Sequence, residues 1–216
     1  MAIPITITEL SDSIRAATVV VNEKERQIAV SLWDLLADGH PVSPRALAAR
    51  ARVDQAAVDS ALERWPGIFR NEENLVVGFW GLAIPPMAHR FHAEGGKPIH
   101  AWCALDPFLI VPVIGRAARV ESKDPISGER IAMTVTPDEI TDASPASVVV
   151  SFLVPDKPFD QEVIQSFCNF VHFFAGTQTA VQWAQGRDEI VIFPVQEAFE
   201  VGRRAWRKFR DPAASL

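Results

Sequence analysis

SPRALAARARVDQAAVDSALERWPGIFRNEENLVV, residues 43–77, is the stretch that orders the N-terminal third of this chain. Ser43 followed by Pro44 reads as an N-cap with proline at the first helical position, and starts a helix through Leu47 and Ala48. A break at Arg52-Val53 leads to a second cap, Asp54, and to a helix carrying Ala57, Val58, Ala61 and Leu62, which Pro66-Gly67 ends. Ile68-Phe69 and Leu75-Val76-Val77, separated by the polar turn Asn71 to Asn74, read as a hairpin. Upstream, Asn22-Glu23-Lys24-Glu25 opens another helix, with Ile28, Val30, Leu32, Trp33, Leu35 and Leu36 as its core face and Gly39-His40-Pro41 as its stop. Helix, two-helix turn and β-wing in this order predict a winged-helix-like module over residues 1–84, bounded by Pro85-Pro86.

Such a module usually reads DNA, and the charges here argue otherwise. The helix that would enter the groove carries Asp54, Asp59 and Glu63 against Arg64, and the wing tip carries Glu72 and Glu73. Phosphate recognition needs a basic stripe, so no nucleic-acid partner is expected and the module reads as a packing unit. Residues 85–216 predict a mixed α/β domain with largely antiparallel strands, making the whole chain α+β. A hairpin over 89–102 leads into Cys103, and Pro107 to Ile114 reads as a short buried helix. Arg119 to Glu121 and Ile131 to Thr136 read as paired strands, and Val148 to Val154 as a dense β-branched strand. A short helix before Cys168, a strand after it, a helix over Thr179 to Gln185, a strand over Ile190 to Phe193 and a helix from Glu197 to Phe209 complete the pattern.

Composition bounds the function. The 216 residues are 48% apolar and 22% charged, with a formal net charge of −6, values of an ordinary globular protein. The acidic balance argues against attraction to nucleic acid or anionic membranes. No apolar run is long enough to span a bilayer, and no basic flank precedes an apolar run at the N-terminus, so neither membrane nor secretory leader is expected. Two cysteines make no disulfide framework and point to a reducing cytoplasm. The run Arg203, Arg204, Arg207, Lys208 and Arg210 reads as the solvated end of a helix, with a docking patch for an acidic partner as the second reading.

The two cysteines, Cys103 and Cys168, carry the chemistry or none of it. No C-x-x-C occurs, so thioredoxin-type redox and zinc-ribbon spacing are absent. Cys103 and Asp106 would share a face if a helical turn began there, placing a carboxyl where it can exchange a proton with a thiol. The competing reading makes both cysteines small core hydrophobes and Asp106 a helix cap.

Three blocks decide between these readings. His100-Ala101-Trp102-Cys103-Ala104-Leu105-Asp106, Ile114-Gly115-Arg116-Ala117-Ala118-Arg119-Val120, and Ser166-Phe167-Cys168 with Val171-His172-Phe173-Phe174-Ala175 together resemble the organomercurial (alkylmercury) lyase family. Thr134-Val135-Thr136-Pro137 and Glu197-Ala198-Phe199 support it, and the resemblance covers most of the chain. It implies protonolysis of a carbon–mercury bond to a hydrocarbon and Hg(II), with Cys103, Asp106 and Cys168 as catalytic residues and as the ligands of the Hg(II) product. Where some relatives carry an additional cysteine, this chain has Asn169. No organic cofactor is implied. Low-molecular-weight thiols are the expected co-reactants and a mercuric reductase the expected recipient of Hg(II).

Mercury is a soft cation and sulfur its preferred ligand, so the residue types fit that chemistry. Trp102, Phe167 and Phe170 are candidate walls for the organic group. His172, inside an aromatic run, reads as a hydrogen-bonded core histidine, and Arg116 and Arg119 as partners of carboxylates or loops. Two rivals stand beside the enzyme: a winged-helix regulator that senses a thiophilic metal, and a non-catalytic mercury-binding protein. Asp106 separates them, because capture alone needs no proton shuttle.

Overall fold

A capping box opens helix α1 (Ile7–Ala17), in which Thr6 accepts from the Glu9 backbone while the Glu9 carboxylate reaches back to the Thr6 N–H. The same device at Asn22 and Glu25 starts α2 (Glu23–Ala37), and Ser43 and Asp54 cap α3 (Pro44–Ala51) and α4 (Gln55–Arg64). Between α3 and α4 Arg52 takes a left-handed conformation, which ends α3 at the break expected from the sequence. The computed structural model describes residues 5–211; the first four and last five positions of the two expected units lie outside the described residues.

Strands β1 (Ile68–Arg70) and β2 (Val76–Phe79) pair antiparallel around the Asn71–Asn74 turn. They do not stand apart as a separate hairpin. β3 (Leu82–Ala83) pairs with β2 and then with β5 (Ile99–Ala101), which pairs with β4 (His89–Ala93). Beyond β4 lie β6 (Ala118–Lys123), β7 (Arg130–Val135) and β8 (Ile140–Ser144), completing an eight-stranded sheet ordered β1-β2-β3-β5-β4-β6-β7-β8. The sheet therefore crosses Pro85-Pro86 without interruption. A second antiparallel sheet places β9 (Val149–Leu153) between β10 (Phe173–Phe174) and β11 (Ile190–Pro194).

Five more helices and a short turn join these sheets. α5 (Asp106–Ile114) leaves β5 and is buried over most of its length. α6 (Val163–Ser166) runs into a single 3₁₀ turn, Cys168–Phe170, and α7 (Thr177–Ala184) follows β10. The C-terminal helix expected over 197–209 is two, α8 (Val195–Ala205) and α9 (Arg207–Arg210). The break falls at Trp206, whose ring enters the core 4.5 Å from Trp33; a straight helix would not aim the indole there. One continuous hydrophobic cluster runs from Leu10 of α1 to Phe209 of α9 and includes residues from both sides of Pro85-Pro86.

Candidate active site

Cys103 lies in the loop between β5 and α5. The expected helical turn is absent at that point, because the helix begins only at Asp106. The pairing of thiol and carboxyl is made instead by a tight reversal. The Cys103 N–H donates to Asp106 Oδ2 at 2.6 Å, while the Asp106 N–H donates to the Cys103 carbonyl at 3.3 Å. A hydrogen bond from the Ala104 N–H to the Val171 carbonyl, 3.1 Å, ties this loop to the segment bearing Cys168. That segment is itself held by Ser151 of β9, which is fully buried. Its hydroxyl donates to the Phe170 carbonyl at 2.8 Å and accepts from the His172 N–H at 3.1 Å. The two thiols, remote in sequence, are thereby brought into one buried neighbourhood.

Both cysteines are free and buried. Burial pushes the Cys103 thiol well above its ordinary range, with the neighbouring Cys168 thiol and the nearby Asp106 charge acting the same way. For Cys168 the Cys103 thiol pulls down, but burial and Asp106 outweigh it and leave the thiol raised. Burial also lifts Asp106 to about 7, against the lowering effect of hydrogen bonds from Cys103 and the Trp102 backbone. A carboxyl titrating there holds a proton half the time at neutral pH and can both take and return one.

Asp106 and Cys168 line a cavity of about 40 Å³ with Trp80, Gly81, Trp102, Leu109, Phe167 and Trp206 among its walls. Ile14 of α1, the Thr18 that caps it and the half-buried Phe159 complete the lining. Trp102 and Phe167 therefore stand where the sequence suggested. Phe170 is half-buried and is not part of this wall. In a 3₁₀ turn successive side chains step by about 120°, so with Cys168 facing the cavity Phe170 is turned away from it. His172 also lies outside this wall and hydrogen-bonds through Nε2 to the Asn169 carbonyl at 2.8 Å. Arg116 clasps Asp34 and Asp38, and Arg119 pairs with Glu121. Among the described residues, no group of three or more His, Cys, Asp or Glu side chains is arranged to hold a metal ion.

Gly81 is a site residue that the sequence did not disclose. Its φ is +93°, and a Cβ built there would fall 2.6 Å from Asp106 Oδ1 and 2.7 Å from its carboxyl carbon. The bare backbone of Gly81 thus forms the plate against which the carboxyl rests. Trp33 was read as core, and its indole donates to the Trp80 carbonyl at 3.0 Å, fixing the neighbouring turn. The one available signal was the glycine directly after Trp80 in a largely apolar run; its partner, 25 positions on, could not be seen.

A mixed α/β fold of antiparallel sheets, with Cys168 and a raised carboxyl on the wall of one largely apolar cavity and the Cys103 thiol buried behind it, defines a thiol-and-carboxyl site of the kind used on soft metals. Residues 82–207 match the family described as MerB, alkylmercury lyase. The chain is 34% identical to an alkylmercury lyase of Staphylococcus epidermidis, with 83% of this chain and 82% of the relative aligned. It is 35% identical to one from Pseudomonas putida, with 83% of each covered. It also superposes on a solved structure titled the mercury-bound form of MerB2, with a TM-score of 0.74, 23% identity, and 94% of this chain and all of that chain covered. The chain belongs to the alkylmercury lyase family.

Proposed function

We propose that the protein cleaves carbon–mercury bonds by protonolysis, with Cys103, Cys168 and Asp106 as the reacting groups. The observation that carries this is the joint burial of two free thiols with a carboxyl lifted to about 7. An organomercurial RHgX exchanges X for one cysteine sulfur, and that thiol's proton leaves with X. The second thiol gives its proton to Asp106 and its sulfur to mercury, raising electron density on the attached carbon. Asp106 then delivers the proton to that carbon. The carbon–mercury pair becomes the new C–H bond, RH departs, and Hg(II) stays between two thiolates with Asp106 beside it. The apolar wall excludes water that would otherwise solvate the carboxylate and lower its proton affinity.

Residues 1–84, read as a winged helix-turn-helix-like module, serve this site as cover, while residues 85–216 carry its reacting groups. Trp80 and Gly81 line the cavity together with Ile14 and Thr18. The charges of α4 are engaged locally, with Asp54 bonded to Lys24 and Arg64 to Glu25, which supports packing over DNA recognition. No helix among the described residues is long and apolar enough to cross a membrane. We place the enzyme in the cytoplasm, where low-molecular-weight thiols deliver substrate and help remove Hg(II). An open groove in which Arg15, Arg203, Arg204, Arg207 and Arg210 outnumber the Asp12, Glu200 and Asp211 beside them is our candidate docking face for a mercuric reductase receiving that ion.

The test is incubation of purified protein with methylmercury and excess thiol, following headspace methane and released Hg(II). Catalytic methane that is lost in Cys103→Ser, Cys168→Ser and Asp106→Asn is the expected result. Mercury bound at one equivalent with no methane would overturn the reading in favour of a binding protein.

A further inference from the structure

We propose that Trp80 determines the specificity of this site and restricts it to organomercurials bearing a small alkyl group; the inference rests on the lyase reading above. Trp80 is the residue of the cavity wall whose own backbone is strained. Its φ is +24°, a region that a bulky residue adopts only when its surroundings impose it. Strain of that kind collects at functional positions. The surroundings that impose it are visible. The Trp80 indole N–H donates to the Pro66 carbonyl at 2.8 Å. The Trp80 carbonyl accepts from the Trp33 indole at 3.0 Å. The ring stacks on Phe79 at 5.7 Å, and Gly67 leaves no room for even a Cβ beside it, with 2.8 Å to Trp80 Cδ1.

The second indole of the wall, which like Trp80 abuts Gly67, is fixed in the same way. Trp102 donates to the Leu82 carbonyl at 3.1 Å and stacks on Phe69 at 5.0 Å. Of the remaining aromatic walls, Trp206 is packed into the core against Trp33 and Phe209, so the looser wall is Phe159, which is only half-buried and leans on Phe167 at the rim. A substrate can therefore displace the rim but not Trp80. The space left beside Asp106 and Cys168 is about 40 Å³. A cavity that takes up benzene is on the order of 150 Å³. A methyl or ethyl group fits between the fixed indoles and the carboxyl that protonates it, whereas a ring must hold its carbon farther from Asp106. Trp80 adds selectivity by size, acting on the step in which the carbon must reach the proton.

The experiment measures kcat/KM for the saturated series methyl-, ethyl-, butyl- and cyclohexylmercury, whose carbons have comparable basicity, in the wild type, Trp80→Phe and Trp80→Ala. The wild type is expected to fall at least tenfold from ethyl to cyclohexyl. Trp80→Ala should raise the cyclohexyl-to-methyl ratio at least tenfold, with a smaller rise in Trp80→Phe. A wild-type profile flat across the series would overturn the proposal without any variant, so a failure of Trp80→Ala to fold does not shelter it. An unchanged ratio in a folded variant would also overturn it. Absence of hydrocarbon from every substrate with the wild type is a distinct outcome, which removes the lyase reading and the size filter with it.

Discussion

Asp106 is a fully buried carboxyl with a proton affinity matched to neutral pH, and its titration has two separable consequences. Its ordinary value of 3.8 rises to about 7 in the folded chain. Between those values the folded protein keeps a proton that the unfolded chain has released, so stability falls as pH rises from about 4 to about 7 and stays lowered above. Asp106→Asn removes that dependence. Urea unfolding should show the variant gaining on the wild type by on the order of 4 kcal/mol between pH 4 and pH 8, while turnover drops by at least about 10²-fold. Stability profiles that stay parallel across that range would contradict the raised proton affinity. Gly81→Ala tests the plate behind the carboxyl. Its methyl would collide with Asp106 at a backbone angle hostile to alanine. It is expected to cost about 1–3 kcal/mol and to reduce methane release far more than stoichiometric mercury capture; equal loss of both would make Gly81 merely structural. Cys103, Asp106 and Cys168 could be named from sequence because their blocks stand close to the family's pattern. Gly81 and Trp80 could not, since their roles come from contacts with residues distant in the chain.

At the level of elements, the turn bearing Cys168 depends on β9 for its position. Ser151 satisfies one carbonyl and one N–H of that turn from the centre of the second sheet. Removing its hydroxyl leaves two buried backbone groups unpaired, at about 1–3 kcal/mol for such a loss. Ser151→Ala should lower the thermal midpoint and slow methane release, whereas Ser151→Thr, which keeps the hydroxyl, should restore the rate if the neighbouring strand admits a methyl. Wild-type activity in the alanine variant would sever the link between strand and turn. The sequence made most elements legible. Caps at Asn22, Ser43 and Asp54 announced α2 to α4, and alternation announced β6 and β7. α1 escaped because only Leu10, Ile14 and Ala17 of its core face are apolar enough to stand out among serines and acids. β8 has no alternation of its own, and becomes a strand through its pairing with β7.

The molecule as a whole shares one sheet and one core across the boundary that Pro85-Pro86 suggested. A proline pair in an exposed link is a strong local mark, but it carries no information on whether strands on its two sides will pair. Because β3 bonds to β5, separating the two parts would strip the sheet at its middle and expose its edges. Heat or urea should therefore unfold the chain in a single transition by both far-ultraviolet dichroism and tryptophan fluorescence. Residues 81–216 expressed alone should fail to give a cooperative fold. A truncated protein that is folded and fully active would overturn both the shared core and the role of the N-terminal part as cover. The burial that keeps Cys103 and Cys168 protonated also governs which metals the protein ignores. A cation must displace thiol protons to bind, and zinc, with its weaker attraction to sulfur and its demand for four ligands, gains too little from two. The interior thus acts as a threshold that zinc does not reach and that a softer cation, content with two sulfur ligands, can cross.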